Sequence, residues 1–308
     1  MLILVKRCLS GGTLKRFVGL LSLIILNIVP FSFPGAQQVP ALDALRGSTA
    51  ELSFPAPAPE PPLLYNADRA PEDYLSGEEL FVYLHEATAP APRKAIPSYK
   101  GSKAFMYSKA DNAGCNGGPG IITFYSQICV NGASDSGDSY KEQGDANRDG
   151  VVDGFINAEH IWPQGYFNSA LPMVADLHHL SPTFVTPNGR RGNLKFALVS
   201  KAVYSTSSGS KLGKEGFEPT DAVKGNVARA LFYFIGRYSD KNIRQGMDYN
   251  SFWTNNVPML LEWNRQDPPD ANERRRNDLV EEFQGNRNPF IDNPELADRI
   301  GEKVFMAH

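Results

Sequence analysis

Apolar residues change their pattern several times along this chain. Between Phe17 and Phe33 they form one nearly continuous run. From 37 to about 62 they give way to proline and alanine, culminating in FPAPAPEPP, a composition that favours extended polyproline II and cannot bury a core. Periodic patterns begin near Tyr65, where ordered structure is expected to start. Leu80, Phe81 and Leu84 stand at helical spacing behind Ser76 and Glu79, which have capping-box spacing, and predict a helix over 77–87. The run IITFYSQICV, 121–130, has the β-branched and aromatic content of a strand. Residues 132–150 are polar and loop-like. Helical patterns return in AVKGNVARALFYFIGRY (222–238), in VPMLLEWNRQ (257–266) and around ERRRNDLVEEFQGNRN (273–288). No internal repeat is visible. The fold class expected is α+β, mixed helices and short strands, in one domain over 65–308.

The first apolar run follows Lys6, Arg7, Lys15 and Arg16 and ends in Pro34, Gly35 and Ala36. That order is a secretory signal peptide, 1–36, with cleavage near Ala36. A membrane anchor is the alternative, but Asn27 and Pro30 interrupt a run barely long enough to span a bilayer. Residues 37–64 are then a Pro/Ala-rich linker. The expected location is secreted or periplasmic, with no membrane association once the signal is removed.

Export changes the meaning of the cysteines. Cys8 falls within the signal and lacks the small neighbours of a lipidation site, which leaves Cys115 and Cys129. An even pair in an oxidising compartment reads as a disulfide. Export also changes the charge: the chain has 31 basic and 34 acidic residues, and losing four basic ones with the signal leaves 27 against 34, or −7. Against that acidic background, 188–214 holds Arg190, Arg191, Lys195, Lys201, Lys211 and Lys214 without one acid. Such a stretch suits phosphate contacts.

The chemistry concentrates in NAEHIWPQGYF (157–167) and ADLHHLSPTFVTPNGRRGNLKF (175–196). Hydrolysing a phosphodiester takes a base to activate water and a cation to neutralise charge on the phosphate and the leaving oxygen. A histidine, a carboxylate and an asparagine can supply both. These blocks, together with SGEELFVYLHEA (76–87), KGNVARALFYFIGRY (224–238) and NRNPFIDNPELADRI (286–300), resemble the bacterial endonuclease I family, secreted or periplasmic nucleases. The resemblance covers most of 65–300 and implies a ββα-metal (His-Me finger) core.

Carried over residue by residue, the resemblance places the general base on His160, the carboxylate metal ligand on Glu159 and an amide ligand on Asn188. It implies Mg²⁺, with Mn²⁺ able to replace it, since carboxylate and amide oxygens are hard ligands. His160 must stay off the metal to act as a base. It further implies DNA and RNA as substrates, bound through backbone phosphates and cut to leave 5′ phosphates, by a monomer needing no stable protein partner. Neighbours 159 and 160 on a strand point to opposite faces, so the backbone is expected to bend or bulge there. Arg191 is the candidate for holding phosphate. Asp176 and His179 are expected to support the site, one of them touching the second nitrogen of His160. His178 and His179 together do not make a zinc site, because adjacent residues rarely share one tetrahedral ion.

Asp145, Asn147, Asp149, Gly150 and Asp153 follow the spacing of an EF-hand loop, but Ile156 stands where the bidentate acid belongs. A structural Ca²⁺ is one reading, an ion-free turn the other. With the proline-rich spacer and the acidic charge, the loop also suggests a calcium-binding cell-surface or adhesion module without catalysis. That alternative leaves NAEHIWPQ, DLHHL and NGRRGN unexplained.

Overall fold

The stripe of Leu80, Phe81 and Leu84 becomes the buried face of a helix, α1 (Gly77–Ala87). The computed structural model describes residues 70–90, 94, 97–131 and 156–308. The signal and linker segments and the Asp145, Asn147, Asp149 and Asp153 loop lie outside the described residues. At the start of α1 the Ser76 hydroxyl makes no capping bond, unlike the expected capping box. Gly77, at φ +57°, turns the chain into the helix instead, a conformation glycine adopts at little steric cost. The next helix, α2 (Tyr99–Phe105), is capped by Ser98, whose hydroxyl accepts from the Gly101 amide at 3.1 Å.

The segment 121–130 is not one strand. It folds back on itself, so that β1 (Gly120–Ile122) pairs antiparallel with β2 (Cys129–Asn131). The reversal is closed by the Thr123 amide and hydroxyl, which both donate to the Ile128 carbonyl, and by Gln127 at φ +51°. Cys115 and Cys129 form the expected disulfide, with Cα atoms 5.9 Å apart.

Next comes the part of the fold that builds the site. β3 (Ile156–His160) pairs antiparallel with β4 (Leu180–Phe184), in register from Ile156 opposite Phe184 to His160 opposite Leu180. Their long connection carries three short 3-10 turns, Gln164–Phe167, Met173–Ala175 and Leu177–His179. Helix α3 (Val185–Arg191) follows β4 directly, completing two strands and a helix. The ladder runs without a bulge to its end, so the expected irregularity is not inside the strand. Glu159 and His160 are its last two residues, and the chain bends away at Ile161 and Trp162.

A small antiparallel sheet of β5 (Tyr204–Ser205), β6 (Lys211–Leu212) and β7 (Phe217–Glu218) leads into α4 (Lys224–Tyr238). This helix is buried on nearly every face, Arg229 included. Around it lie α5 (Tyr249–Phe252), α6 (Val257–Gln266), α7 (Ala271–Gln284), α8 (Pro289–Asp292), α9 (Leu296–Ile300) and α10 (Glu302–Ala307). Helix α6 has the bounds its pattern predicts. Helix α7 stops four residues short of 288, because Gly285 at φ +87° ends it and Asn288 caps α8. Arg229 of α4, 0 % exposed, donates to both carboxylate oxygens of Glu273 on α7 at 2.8 and 2.5 Å. The protein is thus α+β, with a helical mass against which the ββα unit is set. Trp162, just past β3, stacks on Phe234 of α4 with ring centroids 5.0 Å apart, and so ties the two together.

Candidate functional site

The ends of β3, α2 and α3 enclose a cleft of about 400 Å³. Glu159, His160 and Asn188 all border it, as do Asn157, Tyr99, Lys103, Gln164 and Asn193. The two neighbours on β3 therefore serve one cleft without a bulge, because the cleft lies at the strand's end.

Glu159 is 1 % exposed. Its Oε1 accepts from the Tyr125 hydroxyl at 2.8 Å and from the Arg191 guanidinium at 3.0 Å. Among the described residues none donates to Oε2. Burial pushes the carboxyl pKa up, and Arg191 and the Tyr125 hydrogen bond oppose it.

The Nε2–H of His160 donates to the Val174 carbonyl at 3.1 Å. A carbonyl can only accept, so the proton of the neutral ring sits on Nε2 and Nδ1 keeps its lone pair. Burial, reinforced by the neighbouring His179, pushes the pKa of His160 down to about 3. The imidazole is therefore neutral at physiological pH. Tyr99 and Phe167 flank the ring at centroid distances of 5.5 and 6.3 Å and fix its plane.

Asn188 lies on α3, and its Nδ2 donates to Asn157 Oδ1 at 2.7 Å, reaching back to β3. Among the described residues nothing donates to its Oδ1. Among the described residues, the cleft thus offers one carboxylate oxygen of Glu159 and the amide oxygen of Asn188 to a ligand. Two hard oxygen donors fit a hydrated Mg²⁺ or Mn²⁺, which keeps several sites for water and phosphate. No group of three or more His, Cys, Asp or Glu side chains that could hold a metal occurs among the described residues. His178 and His179 are engaged with carbonyls, through Nε2 to Asn286 at 3.0 Å and to Met173 at 2.6 Å.

Two expected support roles meet a different local geometry. Arg191 borders the cleft as well, but it is 1 % exposed, and besides Glu159 it donates to the carbonyls of His160 and Ile161 at 3.0 and 2.7 Å. A guanidinium offers five donors in a rigid fork, and here the fork closes the end of β3 onto α3. Neither Asp176 nor His179 touches the second nitrogen of His160, which belongs to Val174. His179 instead donates to Met173, the residue before, so both histidines fasten the same Met173–Ala175 turn. Asp176 ties that turn to the helical mass, accepting from Tyr233 at 2.8 Å, Tyr238 at 2.7 Å, Gln284 at 2.7 Å and the His178 amide at 3.0 Å. Burial alone would raise the Asp176 pKa. His178, His179 and the hydrogen bonds from Gln284 and Tyr238 outweigh it and hold the carboxyl below its ordinary value.

Tyr99, Lys103, Tyr125 and Asn157 did not stand out in the sequence. Tyr99 and Lys103 are four apart on α2, on one helix face, with the ammonium 5.1 Å from the ring centroid. The one local signal was Pro97–Ser98, a helix start. Tyr125 sits in the reversal between β1 and β2, which composition had concealed.

Residues 90–295 of the chain match the model of the family described as Endonuclease I. The chain is similar to the extracellular ribonuclease of Bacillus amyloliquefaciens, 39% identical over 164 residues covering 50% of this chain and 56% of the relative. It is similar to the extracellular ribonuclease of Bacillus subtilis (strain 168), 40% identical over 164 residues, 50% of this chain and 57% of the relative. An extracellular deoxyribonuclease of Aeromonas hydrophila is 28% identical over 124 residues, 39% of this chain and 50% of the relative. The chain spans about half the length of these relatives. The family match takes in α2, both hairpins, α3 and α4, hence every residue bordering the cleft, and the chain belongs to the endonuclease I family.

Proposed function

We propose that the chain is a secreted, divalent-metal-dependent endonuclease that hydrolyses phosphodiester bonds in both DNA and RNA. The observation that carries this reading is His160, held by the Val174 carbonyl with Nδ1 unprotonated in the cleft that Glu159 and Asn188 border. Export is supported by the leader pattern, by the Cys115–Cys129 disulfide and by relatives whose names are extracellular. Relatives named for ribonuclease and for deoxyribonuclease activity support a site that reads phosphates and ignores the sugar.

Nδ1 of His160 takes a proton from a water aligned opposite the leaving 3′ oxygen. The new bond forms between that water's oxygen and phosphorus, the bond from phosphorus to the 3′ oxygen breaks, and the 3′ oxygen is protonated from solvent. The products carry a 5′ phosphate and a 3′ hydroxyl. A divalent cation held by Glu159 and Asn188 would supply charge neutralisation at the phosphate and the leaving oxygen. A phosphate bound beside His160 raises the basicity of a ring that burial and the neighbouring His179 hold low, and the Val174 carbonyl then steadies the imidazolium through Nε2–H. Lys103, in the same cleft, takes the phosphate-holding role once expected of Arg191.

The test uses the purified protein with plasmid DNA and with RNA, in Mg²⁺ and in chelator. Both substrates are degraded in Mg²⁺ and neither in chelator. His160→Ala lowers the rate by about 10²–10⁴-fold and leaves the circular dichroism spectrum unchanged. A fully active His160→Ala protein would eliminate the mechanism.

A further inference from the structure

A second concavity, of about 410 Å³, lies on the other side of α3 from the cleft. Val185 borders both, and the helix between them is about 10–12 Å across with its side chains. On α3, Asn188 and Gly189 border the cleft, and Thr186 and Pro187 border the second groove. Gly189, at the cleft, and Arg190, next to it on α3, are both exposed. From there Arg190 reaches Tyr204 of β5, its guanidinium carbon 5.5 Å from the ring centroid. Tyr204 is half-buried and forms one wall of the groove, and Ile128, Ser205 and Ser207 are exposed at its edge.

We propose that this groove is a nucleobase subsite: a single-stranded substrate leaves the cleft over Arg190 and stacks an unpaired base on Tyr204. The inference rests on the proposed hydrolysis of nucleic acid in the adjoining cleft. At about 3.4 Å of strand per stacked nucleotide, the width of α3 is crossed in about three nucleotides. Arg190, with its guanidinium carbon 5.5 Å from the Tyr204 ring centroid, is placed to meet a phosphate on that path. An aromatic ring beside a cation, with apolar and hydroxyl groups around it, holds a base face by stacking and its edge by hydrogen bonds, without demanding one sequence. A paired base inside a duplex cannot reach such a ring. The subsite thus favours single-stranded RNA or DNA and unpaired segments over intact duplex.

Binding is measured by fluorescence anisotropy of end-labelled single-stranded and duplex oligonucleotides with the full chain in chelator. Steady-state hydrolysis in Mg²⁺ is followed in parallel. Tyr204→Ala is expected to weaken single-strand binding, and to raise its KM, by roughly 5- to 150-fold, the range of one lost base–aromatic stack. kcat and duplex binding stay within about twofold on the same grounds, and Tyr204→Phe keeps the parent's affinity. Arg190→Ala weakens binding and reduces its salt dependence, as loss of one phosphate contact requires. Single-strand affinity unchanged in Tyr204→Ala, or equal losses for single strand and duplex, would overturn the proposal. The binding readout needs no hydrolysis. A parent that binds single strands through Tyr204 yet cuts nothing would sink the hydrolytic reading alone.

Discussion

The guanidinium of Arg191 holds the carboxylate of Glu159 and the carbonyls of His160 and Ile161 in one place. Removing one partner of a buried ion pair leaves the other charge uncompensated, at a cost of about 3–5 kcal/mol. Arg191→Met is therefore expected to lose stability of that order in denaturant unfolding. Arg191→Lys recovers only part of it, because one ammonium cannot serve three acceptors in fork geometry. A residue that merely held phosphate would show the reverse, a raised KM at unchanged stability. Lys103 is expected to behave that way: Lys103→Ala raises KM for DNA about tenfold, as loss of a phosphate contact worth about 1.4 kcal/mol would, with the thermal midpoint preserved. The same logic separates the two proposed metal ligands. Asn188→Ala should weaken Mn²⁺ binding in a calorimetric titration without unfolding the chain, whereas substitution of Glu159 also strands Arg191.

At the scale of elements, the β1–β2 hairpin matters because its reversal delivers the Tyr125 hydroxyl to Glu159. Three hydroxyls, those of Thr206, Ser208 and Ser210, donate to the Tyr125 carbonyl and anchor the reversal to the β5–β6–β7 region. The disulfide closes this element on its other side, between cysteines 14 apart in sequence. A loop of that size stabilises by about 3 kcal/mol in the chain-entropy model. Replacing Cys115 and Cys129 together by serine should lower the thermal midpoint, and reducing agent should then have no further effect. An equal midpoint in the parent and the double variant would show that the anchoring hydroxyls suffice.

For the molecule as a whole, the buried histidines set a pH dependence. His179 is pushed down to about 4 by burial, against the pull of Asp176, and His178 is lowered by burial too. In the unfolded chain both titrate near the ordinary value of about 6.5. Below that pH the unfolded state binds more protons than the folded one, so stability is complete above about 6.5 and falls as pH drops towards 4. For His179 the full span is on the order of 3 kcal/mol. The denaturant midpoint should thus be lower at pH 5 than at pH 7. His179→Gln, which can still donate to Met173, should flatten the slope, and an unchanged slope would place the titration elsewhere.

Much of this protein is written locally. The bounds of α1 and α6, the family and the grouping of Glu159, His160 and Asn188 followed from short patterns, because helix periodicity and a chemical motif are properties of a few adjacent residues. Arg190 and Arg191 show where that stops: neighbours of one charge, of which one is exposed beside Tyr204 and the other buried against Glu159. Composition cannot separate them, since the difference lies in what α3 packs on. Lys103, Tyr125 and the Val174 carbonyl come from distant segments, and no spacing rule joins them to β3. The sequence by itself determined which residues could perform the chemistry. Only the tertiary structure decided which nitrogen of His160 keeps its lone pair, that Lys103 and Arg191 meet at one cleft, and that Arg191 braces Glu159 there. Those assignments depend on burial and on hydrogen-bond partners 14 to 32 positions away, and a hydrogen bond or a desolvation cost exists only once the chain has brought them together.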